Sequence, residues 1–184
     1  AYDVLPYVFM AEGRVRHLEN RDRVPYSKWV KEGYIESLPG NSISYATIIE
    51  KLEWARDIFD LRDVCYDPWN AKEFVAKCDS EGFEMIEVRP NYADQTAPSK
   101  EMVRLVLDRK LRHENNPVLN WNAACATTRS DGNDNIKFQK PERNKENKRI
   151  DGIAAAACAM NRAMHYGRKI FDPYASGVSE VSCW

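Results

Sequence analysis

Short apolar segments alternate with longer amphipathic ones along this chain, and prolines, glycines and small polar residues mark the switches. Arg62 to Asp67 reads as a strand that stops at an acid. Pro68-Trp69-Asn70-Ala71 opens a helix through Phe74, Val75 and Cys78, and Gly82 ends it. Phe83 to Arg89 then alternates as a strand. Strands alternating with helices in this way point to a mainly parallel sheet covered by helices. The expected class is therefore α/β, a mainly parallel sheet with an antiparallel part.

The flanking segments obey the same punctuation. Tyr2 to Met10 predicts a strand with a proline irregularity, Glu12 to Asp22 a helix, and Tyr26 to Glu32 a short helix opened by Pro25. Tyr34 to Leu38 predicts a brief strand. Ser44 should cap a helix from Tyr45 to Asp60, whose Ile48, Ile49, Leu52, Ala55, Ile58 and Phe59 recur at helical steps. Pro90 to Pro98 reads as loop, with Ser99 capping a helix to Lys110 and Asn116-Pro117 opening a shorter one through Ala124. A hairpin is expected from Ala126–Arg129 and Ile136–Gln139 around Ser130–Asn133. A basic loop, Pro141 to Lys148, leads to an alanine-rich helix from Asp151 to about Tyr166. Residues 1–170 form one expected domain and 171–184 a tail.

The 184 residues are enough for a single sizeable core, and 43% hydrophobic with 30% charged residues is a globular composition. No apolar run approaches the ~20 residues of a membrane helix. The N-terminus lacks a basic region followed by an apolar segment, so no signal peptide is expected. The five cysteines are odd in number and widely spaced, which argues against zinc and for reduced thiols in a cytoplasm.

Charge is informative by its distribution. The net value is −1, yet Lys137, Lys140, Arg143, Lys145, Lys148 and Arg149 face only Glu142 and Glu146 within one stretch. Such a local basic face suits phosphate contact, and equally a solvated loop. Asp67 sits where a strand ends, the place where open α/β sheets gather ligands. Asp151 sits at a helix start, where the positive end of the helix favours an ionised carboxylate. Carboxylates converging from different elements suit a hard divalent cation, and two such ions about 3.5–4 Å apart can serve phosphodiester displacement. Either acid alone fits a helix cap better than a metal. Lys148 could reach a phosphate or the attacking water. His113 could act as a base or simply lie in a turn, and Asn120 and Asn122 could bond a nucleic-acid backbone or form a polar helix face. Glu84 and Glu87 fit the solvent face of their strand. Phosphate-binding loop, dinucleotide and nucleophile-elbow motifs are all absent from the sequence.

Several stretches resemble, in order, the large terminase subunit of tailed bacteriophages. They are Tyr2-Asp3-Val4-Leu5-Pro6-Tyr7, Asn20 to Tyr26 with Trp29 and Gly33-Tyr34, and Leu38-Pro39-Gly40-Asn41. Tyr66-Asp67-Pro68-Trp69-Asn70-Ala71, Leu111-Arg112-His113 with Asn116 to Leu119, and Lys148 to Gly152 continue the resemblance to about Gly167. It implies the nuclease half of that protein: a ribonuclease H-like mixed sheet flanked by helices, with a C-terminal β-hairpin. It also implies an endonuclease that cuts concatemeric double-stranded viral DNA during packaging, using Mg²⁺ or Mn²⁺, with two ions in the complete site. Asp67 and Asp151 match metal ligands, and Lys148 matches a position where some members carry histidine. Lys137, Lys140, Arg143, Lys145 and Arg149 are the expected DNA contacts. The small terminase subunit and the portal protein are implied partners, and the host cytoplasm is the implied location. The family's first strand, which carries a further metal-binding aspartate, has no match here, because Asp3 aligns with the strand that follows it. The chain alone is expected to suffer for want of that ligand. Two rivals are a non-catalytic DNA-binding or docking module of the packaging machinery, and another ribonuclease H-like enzyme such as a recombinase or transposase.

Overall fold

The computed structural model describes residues 1–143 and 147–167, so Lys145 and the tail 171–184 lie outside the described residues. Among the described residues, eight strands and seven α-helices follow one another in mixed order. They are β1 (Tyr2–Asp3), β2 (Phe9–Ala11), α1 (Val15–Asp22), α2 (Tyr26–Lys31), β3 (Glu36–Leu38) and α3 (Tyr45–Ile58). Then come β4 (Val64–Tyr66), α4 (Lys72–Ser80), β5 (Met85–Glu87), α5 (Tyr92–Leu107) and β6 (Leu111–Arg112). The chain continues through α6 (Pro117–Cys125), β7 (Thr127–Ser130), β8 (Ile136–Gln139) and α7 (Asp151–Gly167). The class is mixed α/β, as expected.

Pairing is parallel in β1–β6, β2–β3 and β4–β5, and antiparallel in the β7–β8 hairpin. Instead of one continuous sheet, these are four two-stranded ladders among the described residues. The break at β4 has a backbone cause. The Val64 N–H donates to the Glu84 carbonyl on the β5 side, and the Tyr66 carbonyl accepts there from the Val88 N–H. In a parallel ladder successive residues face opposite neighbours, so the N–H and C=O of Cys65 point to the other edge. That edge carries no strand among the described residues.

Two differences from the sequence reading matter for the site. Pro90–Pro98 is not loop: α5 begins at Tyr92, capped by Asn91, whose side chain accepts from the Asp94 N–H at 2.8 Å. Pro98 therefore lies inside the helix and leaves the Asp94 carbonyl without its usual donor. Asn161 of α7 donates to that carbonyl at 2.8 Å, so the proline becomes a docking point between the two helices. Ser99 is consequently no cap but a fully buried mid-helix residue. The second difference is Tyr2–Met10, which splits into β1 and β2 around Pro6.

The core is the meeting of α5, α6 and α7. Met102, Leu105, Leu119, Ile153, Ala157 and Met160 are its buried members, with β1 and β6 packed against them through Tyr2, Val4 and Leu111. A second cluster joins Val15, Tyr26, Trp29, Ile35 and Val118, closed by the rings of Tyr26, Trp29 and Trp121 at centroid spacings of 5.7–5.9 Å. Leu105 is 1% exposed, so Leu105→Ala should cost about 2–5 kcal/mol in urea unfolding. Leu107→Ala, at a position 78% exposed on the same helix, should change stability by less than about 0.5 kcal/mol.

A groove between strand β4 and helix α7

α7 is built of small residues on the side that meets β4. Its Ile153, Ala157 and Met160 face the core, while Ala154, Ala155, Cys158 and Ala159 line a groove with Asp67 and Asp151. One wall is Asp63 to Asp67, the other includes Lys137, Phe138 and Gln139 of β8, and the cavity holds about 870 Å³.

The two acids reach one end of this groove for a geometric reason. At the far end, Asp63 accepts from Arg162 Nε at 2.8 Å and from the Tyr166 hydroxyl at 2.9 Å. From Asp63 to Asp67 the strand advances about 13 Å. From Arg162 back to Asp151 the helix covers about 16 Å. Cys158, one turn before Arg162, lies within reach of the charge of Asp67, so α7 runs antiparallel to β4 and carries Asp151 toward the Asp67 end of the groove that both acids line. The charge of Asp67 is felt at Cys158, whose thiol is pushed up first by burial and further by Asp67 and Asp94, against a hydrogen bond from Gln95. Burial, with the charge of Asp63, pushes the Cys65 thiol up to about 12.

Neither acid caps a helix. α4 starts at Lys72 after Ala71, and Asp67 Oδ1 instead accepts from the Trp69 N–H at 3.0 Å in a local turn. At α7 the capping position is Ile150, whose carbonyl accepts from the Ala154 N–H at 2.8 Å. Asp151 is the first helical residue, and its carboxylate enters no hydrogen bond among the described residues. Asn122, 4% exposed on α6, accepts from the Gly152 N–H at 2.6 Å and so satisfies the helix start from outside. Asn122 thus bonds a protein backbone, whereas Asn120 turns to Asn115. Gly152 is required by this approach: a Cβ there would lie 2.9 Å from Asn122 Oδ1 and 3.1 Å from Leu119 Cδ1.

The basic residues divide. Lys137 lines the groove, with Nζ donating to the Pro90 carbonyl at 2.7 Å and lying over the Tyr92 ring. Lys140 lines a small neighbouring cavity with Arg129 and Gln139. Arg143 is exposed, and Lys148 is half-buried and absent from the walls of the groove. Arg149 turns inward to the buried Asp22, with Nε 3.3 Å from its carboxylate. Asp22 also accepts from Arg21 at 2.6 and 2.9 Å and from the Tyr26 hydroxyl at 2.8 Å. Burial alone pushes this carboxyl up, but the bonds from Arg21, Tyr26 and Arg149 outweigh it and hold the group below its ordinary 3.8. Nothing in the sequence singled out Asp22, because its partner Arg149 lies 127 positions away. His113 belongs elsewhere, lining an apolar cavity with Val106, Leu107 and Leu119.

Comparison with known proteins decides the family. The model of the terminase large subunit, endonuclease domain, matches residues 1–166. This chain belongs to that family. The large terminase subunit of Enterobacteria phage HK97 is 27% identical over 164 residues, 88% of this chain and 32% of that protein. Protein YmfN of Escherichia coli strain K12 is 26% identical over 173 residues, 91% of this chain and 38% of the relative. The chain thus spans about a third of the length of these relatives. The crystal structure of the HK97 large terminase superposes with a TM-score of 0.76 at 26% identity, covering 87% of this chain and 33% of that one. The large terminase nuclease of thermophilic phage G20c shares the fold at a TM-score of 0.51 and 12% identity, over 65% of this chain and 63% of its own. Its magnesium-bound form gives 0.50 at 11% identity, over 66% and 64%.

Two outcomes follow for this member of the family. Gly152→Ala should destabilise by about 1–3 kcal/mol in chemical denaturation, whereas Gly132→Ala, with open space around it, should not. Asp22 has a depressed folded-state pKa, so its stabilisation is complete above the unfolded value and fades as pH falls through the folded one. Asp22→Asn should therefore flatten the part of the stability profile below about pH 4.

Proposed function

We propose that this domain is a ribonuclease H-like, metal-dependent endonuclease that cleaves concatemeric double-stranded viral DNA during genome packaging. The observation that carries the reading is the convergence of Asp67 and Asp151, from a strand end and a helix start, on one groove. Their donor chemistry fits a hard cation. Asp151 has a free carboxylate, Asp67 keeps an oxygen beyond the one its turn uses, and Mg²⁺ is commonly held by one or two carboxylates together with waters and substrate phosphate. Mg²⁺ or Mn²⁺ bound there would polarise the scissile phosphate and lower the pKa of an attacking water.

The protein's own residues fix the geometry. The Asn122–Gly152 bond sets the direction of Asp151, and the Arg162–Asp63 clamp sets the reach of Asp67. Lys137, at the groove wall, would meet a backbone phosphate, with Lys140 and Arg143 beyond it and Lys145 outside the described residues. Lys148 is proposed to act from the loop before Asp151. A two-ion site needs a further acid. The β4 edge at Cys65, unpaired among the described residues, suits one more strand bringing it. The small terminase subunit and the portal are the proposed partners in the intact motor, acting in the host cytoplasm.

Cleavage should show little sequence preference, since contacts to phosphates carry no sequence information. In the intact large subunit, Asp67→Asn and Asp151→Asn should each abolish Mn²⁺-dependent plasmid cleavage while leaving the thermal transition in place. Full activity in Asp151→Asn would remove the assignment. Salt-sensitive DNA binding indifferent to chelator, with no cleavage in the wild type, would favour the docking module instead.

A further inference from the structure

On the other side of the α7 start lies a second cavity of about 500 Å³, lined in part by Gly152, that shares Asp151 and Ala155 with the acid groove. Three arginines line it: Arg14, Arg21 and Arg149. Two of them are braced by Asp22, whose side chain is 0% exposed while those of Arg21 and Arg149 are 32% and 27% exposed. Asp22 occupies Nε and Nη2 of Arg21 and Nε of Arg149. That leaves Nη1 of Arg21 and both terminal nitrogens of Arg149 without partners among the described residues. Arg14, exposed, enters no ion pair among the described residues.

A buried carboxylate of this kind is costly unless its partners are well placed, and here the partners include two guanidiniums from distant parts of the chain. Ordering them on Asp22 removes the rotamer entropy that an arginine otherwise loses on gripping an anion. Guanidinium forks match the oxygens of a phosphate, and three of them outnumber Asp22 and Asp151 at the cavity. We propose that the Arg14–Arg21–Arg149 cavity is a subsite for a backbone phosphate of the DNA strand, next to the phosphate that Asp67 and Asp151 address. It rests on the nuclease reading only for the identity of the strand. Asp22 is then a positioning residue: it touches no substrate and sets where the arginines point.

The test is duplex binding with EDTA present, so that neither metal nor cleavage enters. A short labelled DNA duplex is titrated with the protein between about 50 and 200 mM salt. Arg14→Ala and Arg149→Ala should each weaken binding irrespective of sequence and lower the log–log salt slope by about 0.9. Lys72→Ala, on the remote helix α4, should leave the slope unchanged. Arg14 lies outside the Asp22 network, so its result does not depend on how Arg149→Ala folds. Unchanged slopes in both arginine variants overturn the subsite. At matched ionic strength, inorganic phosphate should displace the duplex better than chloride, and Arg149→Ala should remove that advantage. Phosphate binding at the arginines that leaves duplex affinity untouched would assign the cavity to a free anion and overturn the strand reading. Asp67→Asn, assayed for Mn²⁺ cleavage in parallel, reports on the nuclease reading alone, so the two can fail separately.

Discussion

The hydrogen bond from the Gly152 N–H to Asn122 Oδ1 fixes where α7 begins, and everything at the site is measured from that point. A helix start buried against another helix leaves N–H groups that must find acceptors. Here the acceptor is a side chain of α6 that is itself 4% exposed, so its own alternatives are few. Because Asn122 serves the helix, Asp151 does not have to. A carboxylate at the first helical position, relieved of capping, keeps its oxygens open toward the groove.

The other end of α7 supplies the second constraint. Arg162 and Tyr166 converge on Asp63, the residue just before β4, and Asn161 reaches the carbonyl that Pro98 leaves open in α5. These contacts set the register of the helix against a strand and against its core partner together. A shift of one helical residue would move Asp151 by about 1.5 Å and rotate it by about 100° away from the groove. Small residues along this face let β4 and α7 approach without side chains in between, which is why a run of alanines lies at a candidate catalytic groove and not only in the core.

How far the sequence carried this is uneven, for physical reasons. The crossover β4–α4–β5, the hairpin and α7 were legible because their signals are local: period, proline and glycine. α5 was misread at its start because Pro98 normally ends a helix, and the remedy, Asn161, lies 63 residues further on. Asp67 and Asp151 were legible as acids at element ends. Their convergence was not, since it depends on the Asp63–Arg162 clamp across 99 residues. Arg149 reads in sequence as one more cation of a basic loop. Only the fold shows it turned toward Asp22.

That inward turn bears on how a basic loop works. An exposed lysine or arginine attracts DNA through an interaction that salt screens, and it must be ordered at the moment of contact. Lys140 and Arg143 are of this kind, suited to capture. An arginine pinned by a buried carboxylate two residues before Asp151 is suited to register, because it cannot follow a strand that sits in the wrong place. A nuclease acting without regard to sequence gains no alignment from base contacts, so its alignment must come from fixed points along the phosphate backbone. The proposed subsite would be such a point beside Asp151, linked through Ile150 to the same turn that presents the carboxylate. In the proposed subsite Asp22 therefore acts from beneath, through the arginine it holds two residues before Asp151.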